Sequence, residues 1–319
     1  MPSIKGKYTF TNEVEIKGDA TIERCKGEEC CSTQHAFTNK ATITGNLNTL
    51  GSNKVIVNTP ITIGGNVTAE HIKFSKPATI GGNIAVSASA EFTQGVTATG
   101  GLTISENAKA TLGSHASHIV KVANIEAKGD INVKGVVTTG DINIEKKAEF
   151  EGTIKEAGNI TLASTATANF KCEVVSAGEI TANAGVTFNE NATVGKVIAN
   201  MPVTFSKKAV VKGDIDANAV VVINEADVDG NVNAEAEVEF TTATIKGDVT
   251  ANADAKLGTA IIEGNLTATD VEVSATKLNV NGTIDLVGEA KLTAPTLTAK
   301  TVNVEFYSQL TANTKFDVA

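Results

Sequence analysis

The amino-acid sequence predicts an all-β protein, a single-domain parallel β-helix (β-solenoid) over residues 1–319. Three observations predict it. Glycines open successive units 17 residues apart at Gly213, Gly230, Gly247 and Gly264. Apolar residues alternate within each unit, as at Ile215, Ala217, Ala219, Val221 and Ile223, and this period of two is the strand pattern. The 3.6-residue pattern of a helix is missing. Units of about three short strands with a glycine-led corner are typical of solenoid coils.

The same frame extends along the whole chain. Further units open at Gly18, Gly45, Gly65, Gly82, Gly101, Val122, Gly140, Gly158, Gly178, Gly195, Gly282 and Thr301. The sequence therefore predicts about 17 coils, mostly of 17 to 20 residues, in a rod on the order of 80 Å long at ~4.8 Å per coil. Parallel crossovers are right-handed as a rule, so we expect a right-handed, three-sided solenoid. Two longer units predict insertions, a Cys-rich loop at residues 24–40 and a smaller loop at residues 113–121.

Aligning the units predicts which side chains stack from coil to coil. Before the opening glycine, neighbouring coils carry opposite charges at Lys212, Asp229, Lys246 and Glu263. After it, carboxylates alternate with amides in a ladder at Asp214, Asn231, Asp248 and Asn265. An interior aromatic stack is expected at Phe92, Phe150, Phe188, Phe205 and Phe240, interrupted by Ile223 and Leu257. Cys172 is expected to face the interior as a small hydrophobe.

Composition and charge limit the classes of molecule that we expect the protein to bind. The formal charge is −9, and 26 of the 27 basic residues are lysines because Arg24 is the one arginine, so no nucleic acid is expected as a partner. The longest aliphatic run, Ala219 to Ile223, is far too short for a transmembrane segment. Residues 1–8 lack the apolar stretch of a secretory signal. The default expectation is cytoplasmic, with the cell surface or an extracellular location as the alternative.

The Cys-rich loop carries Cys25, Cys30, Cys31 and His35. Three thiolates and an imidazole are a suitable zinc ligand set, but adjacent Cys30 and Cys31 fit a tetrahedral site less well than a Cys-x-x-Cys pair. Disulfides within the loop or between molecules are a second interpretation, since three clustered thiols leave one over, and reduced, inert cysteines are a third. We expect Cys25, Cys30 and Cys31 to form a covalent or metal cross-link and not a catalytic site.

The sequence offers little sign of catalysis. Polysaccharide-active β-helices use clustered carboxylates and stack sugars on Trp and Tyr, but this chain has no Trp and its two tyrosines are Tyr8 and Tyr307. Its acidic residues follow the repeat. His115 and His118 would lie on opposite faces of a strand, so a solvated loop is the better interpretation of that segment. We expect no enzyme activity and no cofactor.

Units such as Gly213 to Asp229 and Gly230 to Lys246 open with Gly-Asp/Asn-Ile/Val and resemble the bactofilins, which are bacterial polymer-forming cytoskeletal proteins. The resemblance implies a right-handed triangular solenoid that polymerises end to end without nucleotide. This chain differs from the family pattern in having more coils and a cysteine-bearing insertion.

Alternating strand patterns stand close to both chain ends. They include Tyr8 and Phe10 at one end and Val302, Val304, Phe306 and Phe316 at the other. Unpaired strand edges accept further strands, so these residues are the predicted assembly ends. We therefore expect a structural self-assembling protein, a rod-shaped subunit of a filament or lattice that stacks end to end with copies of itself. The alternative is a cell-surface or extracellular fibre or adhesin shaft that binds a surface polymer or another macromolecule, and a polysaccharide-active enzyme ranks below both.

Overall fold

The structure is a computed structural model, and it describes residues 3–5, 9–10, 13–23, 35–51, 54–176, 178–312 and 315–318. These residues form an all-β parallel β-solenoid of about 15 turns without a helix, which confirms the predicted fold class. The number of turns is close to the 17 units of the glycine frame. The right-handedness of the coils and their three-sided cross-section stay predictions.

The chain divides into two compact units, each a stack of coils. Unit 1 comprises residues Met1–Gly158 and Thr165–Lys171, and unit 2 comprises Asn159–Ser164 and Cys172–Ala319. The prediction of one continuous domain over residues 1–319 stays a prediction.

In the described part of unit 1 the strands are β1 (Ser3–Lys5), β2 (Thr9–Phe10), β3 (Val14–Ile16), β4 (Ala20–Glu23), β5 (His35–Phe37), β6 (Ala41–Ile43), β7 (Leu47–Leu50), β8 (Val55–Val57), β9 (Ile61–Ile63), β10 (Val67–Phe74), β11 (Ala78–Ile80), β12 (Ile84–Phe92), β13 (Val96–Ala98), β14 (Leu102–Ile104), β15 (Lys109–Leu112), β16 (Ile119–Lys121), β17 (Ile125–Ala127), β18 (Asp130–Val133), β19 (Val136–Thr138), β20 (Ile142–Ile144), β21 (Lys147–Phe150), β22 (Ile154–Ala157) and β24 (Thr167–Phe170).

In the described part of unit 2 they are β23 (Ile160–Leu162), β25 (Val174–Ser176), β26 (Glu179–Ala182), β27 (Val186–Phe188), β28 (Ala192–Val194), β29 (Lys196–Ala199), β30 (Val203–Val211), β31 (Ile215–Ala217), β32 (Val221–Val228), β33 (Val232–Ala234), β34 (Val238–Ile245), β35 (Val249–Ala251), β36 (Ala255–Ile262), β37 (Leu266–Thr269), β38 (Glu272–Val287), β39 (Lys291–Thr293), β40 (Thr296–Val304), β41 (Gln309–Thr311) and β42 (Lys315–Val318).

Each coil contributes three strands, and each strand pairs in parallel with its equivalent in the next coil. In unit 1, β13 pairs with β16, β14 with β17, and β15 with β18. In unit 2 the second and third strands of a coil often merge into one long strand that bends between them, as in β32, β34 and β36. The inward positions change phase at this bend, from Ile223 to Ala226 in β32.

The inward side chains form three core columns, one for each strand of a coil. In unit 2 the first core column contains Ile215, Val232, Val249 and Leu266, the second contains Val221, Val238 and Ala255, and the third contains Ala226, Ala243 and Ala260. These side chains are between 0% and 5% exposed. Outward side chains alternate with these inward ones, as a period of two requires: Lys256 is exposed between buried Ala255 and Leu257.

Phenylalanines occupy the second core column, as predicted. Ring centroids lie 5.0 Å apart for Phe74 and Phe92 and 4.9 Å apart for Phe150 and Phe170, both in unit 1. In unit 2 the Phe188 and Phe205 rings stack at 4.8 Å. Phe74 and Phe170 also belong to this stack, because the corner between the first and second strands varies in length and displaces them from a fixed count after the opening glycine. Cys172 is 5% exposed, which confirms its predicted interior position.

The two expected insertions are described to different extents. Residues 24–34 of the Cys-rich loop lie outside the described residues, and β5 begins at His35. In the 113–121 segment only residues 113–118 are irregular, because β16 begins at Ile119 and pairs with β13 and β19.

Candidate assembly surfaces

An Asp and Asn ladder follows one corner of unit 2, as the sequence predicts. Asp214 Oδ1 accepts a hydrogen bond from the Asn231 main-chain N–H at 2.7 Å, and Asn231 Oδ1 accepts one from the Asp248 N–H at 2.8 Å. Asp248 Oδ1 accepts the Asn265 N–H at 2.7 Å, and Asn265 Oδ1 accepts the Thr283 N–H at 2.9 Å. We call this set, Asp214 to Asn265, the corner ladder. Its main partner is the backbone of the next coil, so each side chain caps a main-chain donor at the corner.

Unit 1 contains the same arrangement. Asp19 Oδ1 accepts a hydrogen bond from the Asn46 main-chain N–H, and Asn46 Oδ1 accepts one from the Asn66 N–H, both at 2.7 Å. Asn66 Oδ1 accepts one from the Asn83 N–H at 2.8 Å. Asn83 Oδ1 then accepts the Gly101 N–H at 2.9 Å. Gly101 has no side chain, so the ladder stops there.

The corner ladder helps to explain why a glycine opens most coils. A Cβ on Gly230 would collide with Asp214 Oδ1, and a Cβ on Gly247 would collide with Asn231 Oδ1. The oxygen that caps the next coil occupies the space of a side chain at this position. Glycine is therefore required by the close approach of the ladder oxygen and of the main chain of the preceding opening glycine, which would lie 2.5 Å from either Cβ.

Opposite charges alternate beside the corner ladder, as predicted for Lys212, Asp229 and Lys246. Asp229 lies between two ammonium groups, with Lys212 Nζ at 3.2 Å and Lys246 Nζ at 2.8 Å. Hydrogen bonds from Lys246 and then Lys212 lower the pKa of Asp229 below its ordinary value of 3.8. The hydrogen bond to Asp229 in turn raises the pKa of Lys246.

The last coil of unit 2 leaves inward side chains uncovered. Val302 and Val304 pair with Ile284 and Leu286 in the first core column. Leu286 is 1% exposed, whereas Val304 is 45% exposed and Val302 is half-buried. In the second core column Leu310 pairs with buried Leu292 and is itself half-buried. Phe316 pairs through its backbone with Leu297 in the third column.

The first coil of unit 1 has the same property. Phe10 stacks on buried Phe37 with ring centroids 4.7 Å apart and is half-buried. Val14 and Ile16 pair with Ala41 and Ile43 and are also half-buried, whereas Ala41 and Ile43 are buried. Tyr8 lies outside the described residues. Among the predicted assembly ends, Phe10, Val302 and Val304 thus lie at terminal positions of the core columns.

Phe306 does not continue the terminal strand as the sequence pattern suggests. β40 ends at Val304 and β41 begins at Gln309, so Phe306 belongs to a turn over residues 305–308, which we call the aromatic turn. Phe306 is 93% exposed and Tyr307 is 71% exposed, and their rings meet edge to face with centroids 5.1 Å apart.

The cysteine hypothesis is left open by the structure. Cys25, Cys30 and Cys31 lie outside the described residues, and of His35 only the backbone is described, in β5. Within the described part of the chain no group of three or more His, Cys, Asp and Glu side chains is arranged to hold a metal ion. The metal, disulfide and reduced interpretations remain predictions.

The segment with His115 and His118 is an irregular loop, as expected. Contrary to a placement on opposite faces of a strand, the turn brings the two rings to a centroid distance of 6.2 Å. The Ser114 N–H donates to His118 Nδ1 and the Ser117 N–H donates to His115 Nδ1, both at 3.2 Å. Both Nδ1 atoms therefore act as acceptors that hold the turn closed.

In the residues that the structure describes, no helix has the length and apolar character needed to span a membrane. No protein-family model matches the chain, and no curated protein or solved structure is significantly similar to it. A parallel β-solenoid is present, as the bactofilin resemblance implies, whereas the right-handed triangular form and membership of that family stay predictions.

Proposed function

We propose that the protein is a structural, self-assembling subunit whose coils stack end to end with those of further copies into a filament or lattice. The observation that carries this proposal is the exposure of the core columns at both terminal coils. Val304 is 45% exposed at a position where the preceding coil has Leu286 at 1%. Phe10, Val14 and Ile16 are half-buried where the next coil is buried.

Stacking would bury these side chains as they are buried inside each unit. Fully burying a valine or leucine side chain contributes roughly 1.5–3 kcal/mol, and the terminal strands also offer unpaired main-chain donors and acceptors. Both driving forces act at the same surface. The contact would repeat the parallel pairing that already joins consecutive coils.

The two ends differ in sequence, so a contact between unlike ends is heterologous and propagates into an open fibre. No nucleotide or catalytic step is needed, because the assembly is driven by burial and strand pairing. The resemblance of the units at Gly213 and Gly230 to bactofilins is consistent with this role.

The test is a charge placed in the exposed end of the first core column. Val304→Asp should abolish assembly, measured by light scattering and electron microscopy over micromolar concentrations, because it puts an unpaired charge into the stacking surface. Ile261→Asp is the matched control, since Ile261 is 43% exposed on the outward side of β36. We expect this control to assemble like the unchanged chain.

A monomer at every concentration would contradict the proposal. So would equal assembly by the Val304→Asp and Ile261→Asp variants, because the end surface would then have no special role. Thermal unfolding of both variants shows whether each remains folded.

A further inference from the structure

We propose that the aromatic turn is a docking site for a basic segment of a partner protein, whose arginine or lysine side chains lie across the two rings and beside the neighbouring carboxylates. The turn is a corner of the last coil, between β40 and β41, and so lies beside the core columns and not within them. The inference goes beyond the proposed function and does not depend on it.

The exposure of its two rings distinguishes the aromatic turn from the aromatic core. Phe306 is 93% exposed and Tyr307 beside it is 71% exposed. Eight phenylalanines are fully buried instead, namely Phe37, Phe74, Phe92, Phe150, Phe170, Phe188, Phe205 and Phe240. Large aromatic side chains are enriched among the residues that contribute most of the binding energy in protein interfaces, so an exposed pair indicates a docking surface.

Hydrogen bonds to the preceding coil hold the aromatic turn in place. The Glu305 N–H donates to Leu286 O at 3.0 Å, and Glu305 Oε2 accepts a hydrogen bond from the Gly288 N–H at 2.9 Å. Ser308 Oγ donates to Gly288 O at 3.0 Å. The main chain that carries the two rings is therefore ordered before binding, which reduces the entropy lost when a partner docks.

Carboxylates lie beside the aromatic turn. Asp270, Glu289 and Glu305 occupy the same corner of three successive coils, and all three residues are exposed. Among the described residues no ammonium group lies within ion-pair distance of these three carboxylates, and the Lys291 ammonium of the same segment pairs with Glu272 at 3.2 Å. The surface around the rings is therefore negatively charged, and its complement is a cation.

Rings and carboxylates together select the chemistry of the partner. Arginine and lysine combine an apolar stem with a cationic head, so the stem packs on the rings while the head is attracted by the ring faces and by the carboxylates. Arginine is the better fit, because its planar guanidinium stacks on aromatic rings and is less strongly hydrated than an ammonium. A metal ion has no apolar part for the rings to contact, and the carboxylates would repel the phosphates of a membrane surface or a nucleic acid.

The first test measures the binding of a basic probe. A fluorescent peptide of alternating arginine and serine is titrated with the full chain and followed by anisotropy, below the protein concentration at which light scattering detects assembly. The control peptide has glutamine in place of each arginine. We expect the arginine peptide to bind at least about tenfold more tightly, with an affinity that falls as salt is added.

The second test removes the rings. Phe306→Ala with Tyr307→Ala should weaken binding of the arginine peptide at least about tenfold, with an unchanged melting temperature because the rings are exposed in the single chain. The control is Ile119→Ala with Met201→Ala, which removes apolar side chains that are 61% and 46% exposed elsewhere. We expect this control to bind the peptide as the unchanged chain does.

The third test removes one negative charge beside the rings. Glu289→Gln should weaken binding of the arginine peptide about two- to fivefold, and it leaves the hydrogen bond to Asp270 in place because the Glu289 main chain makes that bond. Glu263→Gln is the matched control, since Glu263 is exposed on the corner between the third and first strands. We expect the control to leave the affinity unchanged.

Three results would overturn the inference. The first is equal binding of the arginine and glutamine peptides, or no binding of either. The second is peptide binding that the ring deletion leaves unchanged, since the net negative charge of the chain and not the aromatic turn would then hold the peptide. The third is suppression of assembly by the ring deletion in a chain that does not bind the arginine peptide, because the occupant of the aromatic turn would then be a second copy.

Discussion

The coils from Gly213 to Asn281 in unit 2 and those from Gly101 to Thr139 in unit 1 use the same three-strand plan with different regularity. The first set keeps a constant 17-residue period between its opening glycines, and the corner ladder runs through it without a gap. In the second set the ladder stops at Gly101, and an irregular loop follows β15.

The irregular coils contain unpaired polar atoms. Among the described residues, buried Asn132 Oδ1 and Thr139 Oγ1 have no hydrogen-bond partner, and both lie in this segment. Gly113 has a positive φ of 75°, and a Cβ there would meet the backbone of Gly135. The cap at this corner therefore depends on an Asp or Asn after the opening glycine and not on a constant coil length, since the unit 1 ladder from Asp19 to Asn83 spans coils of 27, 20 and 17 residues.

The largest expected effect is in the core of the regular coils. Phe240→Asp should destabilise the protein by more than about 4 kcal/mol, because a charge would be buried without a partner in the second core column. Lys256→Ala, at an exposed outward position of the next coil, should change stability by less than about 0.5 kcal/mol. Denaturant unfolding measures both, and similar effects would mean that the inward and outward positions are wrongly assigned.

The second-largest expected effect is the loss of stability when a side chain is added to an opening glycine beside a corner-ladder oxygen. Gly247→Ala should destabilise by about 2 kcal/mol or more, since its Cβ would displace Asn231 Oδ1 and strain the corner. Gly185→Ala is the control, because the nearest atom to its Cβ would be Pro202 O at 3.9 Å, and it should be within about 0.5 kcal/mol of the unchanged chain. Equal melting temperatures for the two variants would refute the close-approach explanation.

Replacing Asn231 and Asn132 by valine should have different effects on the free energy of unfolding. Asn231→Val removes the acceptor of the Asp248 N–H and should destabilise by about 1 kcal/mol. Asn132→Val removes an unpaired buried oxygen from a strand and should be neutral or stabilising by up to about 1 kcal/mol. Loss of stability in both variants, measured in urea, would show that the regular and irregular coils do not differ in this respect.

The smallest expected effect is on the loss of stability at acid pH, through the ion pairs of Asp229 with Lys212 and Lys246. The pKa of Asp229 is lowered in the folded protein, so its ion pairs stabilise the fold above the ordinary carboxyl pKa of 3.8 and this contribution is lost as the pH falls through the folded-state pKa. Asp229→Asn should therefore flatten the loss of stability below about pH 4. If the Asp229→Asn variant loses stability with falling pH as the unchanged chain does, Lys212 and Lys246 have no role in stabilising the Asp229 carboxylate.

Much of this architecture follows from the sequence alone. A period of two identifies strands because successive strand side chains point to opposite faces, and a 17-residue repeat places equivalent residues beside each other in parallel pairing. Those two facts were sufficient to predict the solenoid, the inward Phe240, the outward Lys256 and the charged column at Asp229. They also predict strands at Phe10, in the first coil of unit 1, and at Val304, in the last coil of unit 2.

Other features depend on distances that only the folded coils define. The repeat marks Gly247 as periodic, but the need for glycine arises from the positions of Asn231 Oδ1 and of the Gly230 main chain in the preceding coil. Phe170 joins the aromatic stack because pairing aligns it with Phe150 across coils of unequal length. Phe306 continues the alternating pattern in sequence, yet the hydrogen bonds of Glu305 and Ser308 to the coil beneath end the strand at Val304 and turn the ring outward. The alternating pattern indicates on which face of a strand a side chain lies. The residue at which a strand ends is decided instead by hydrogen bonds to residues about one coil away in sequence.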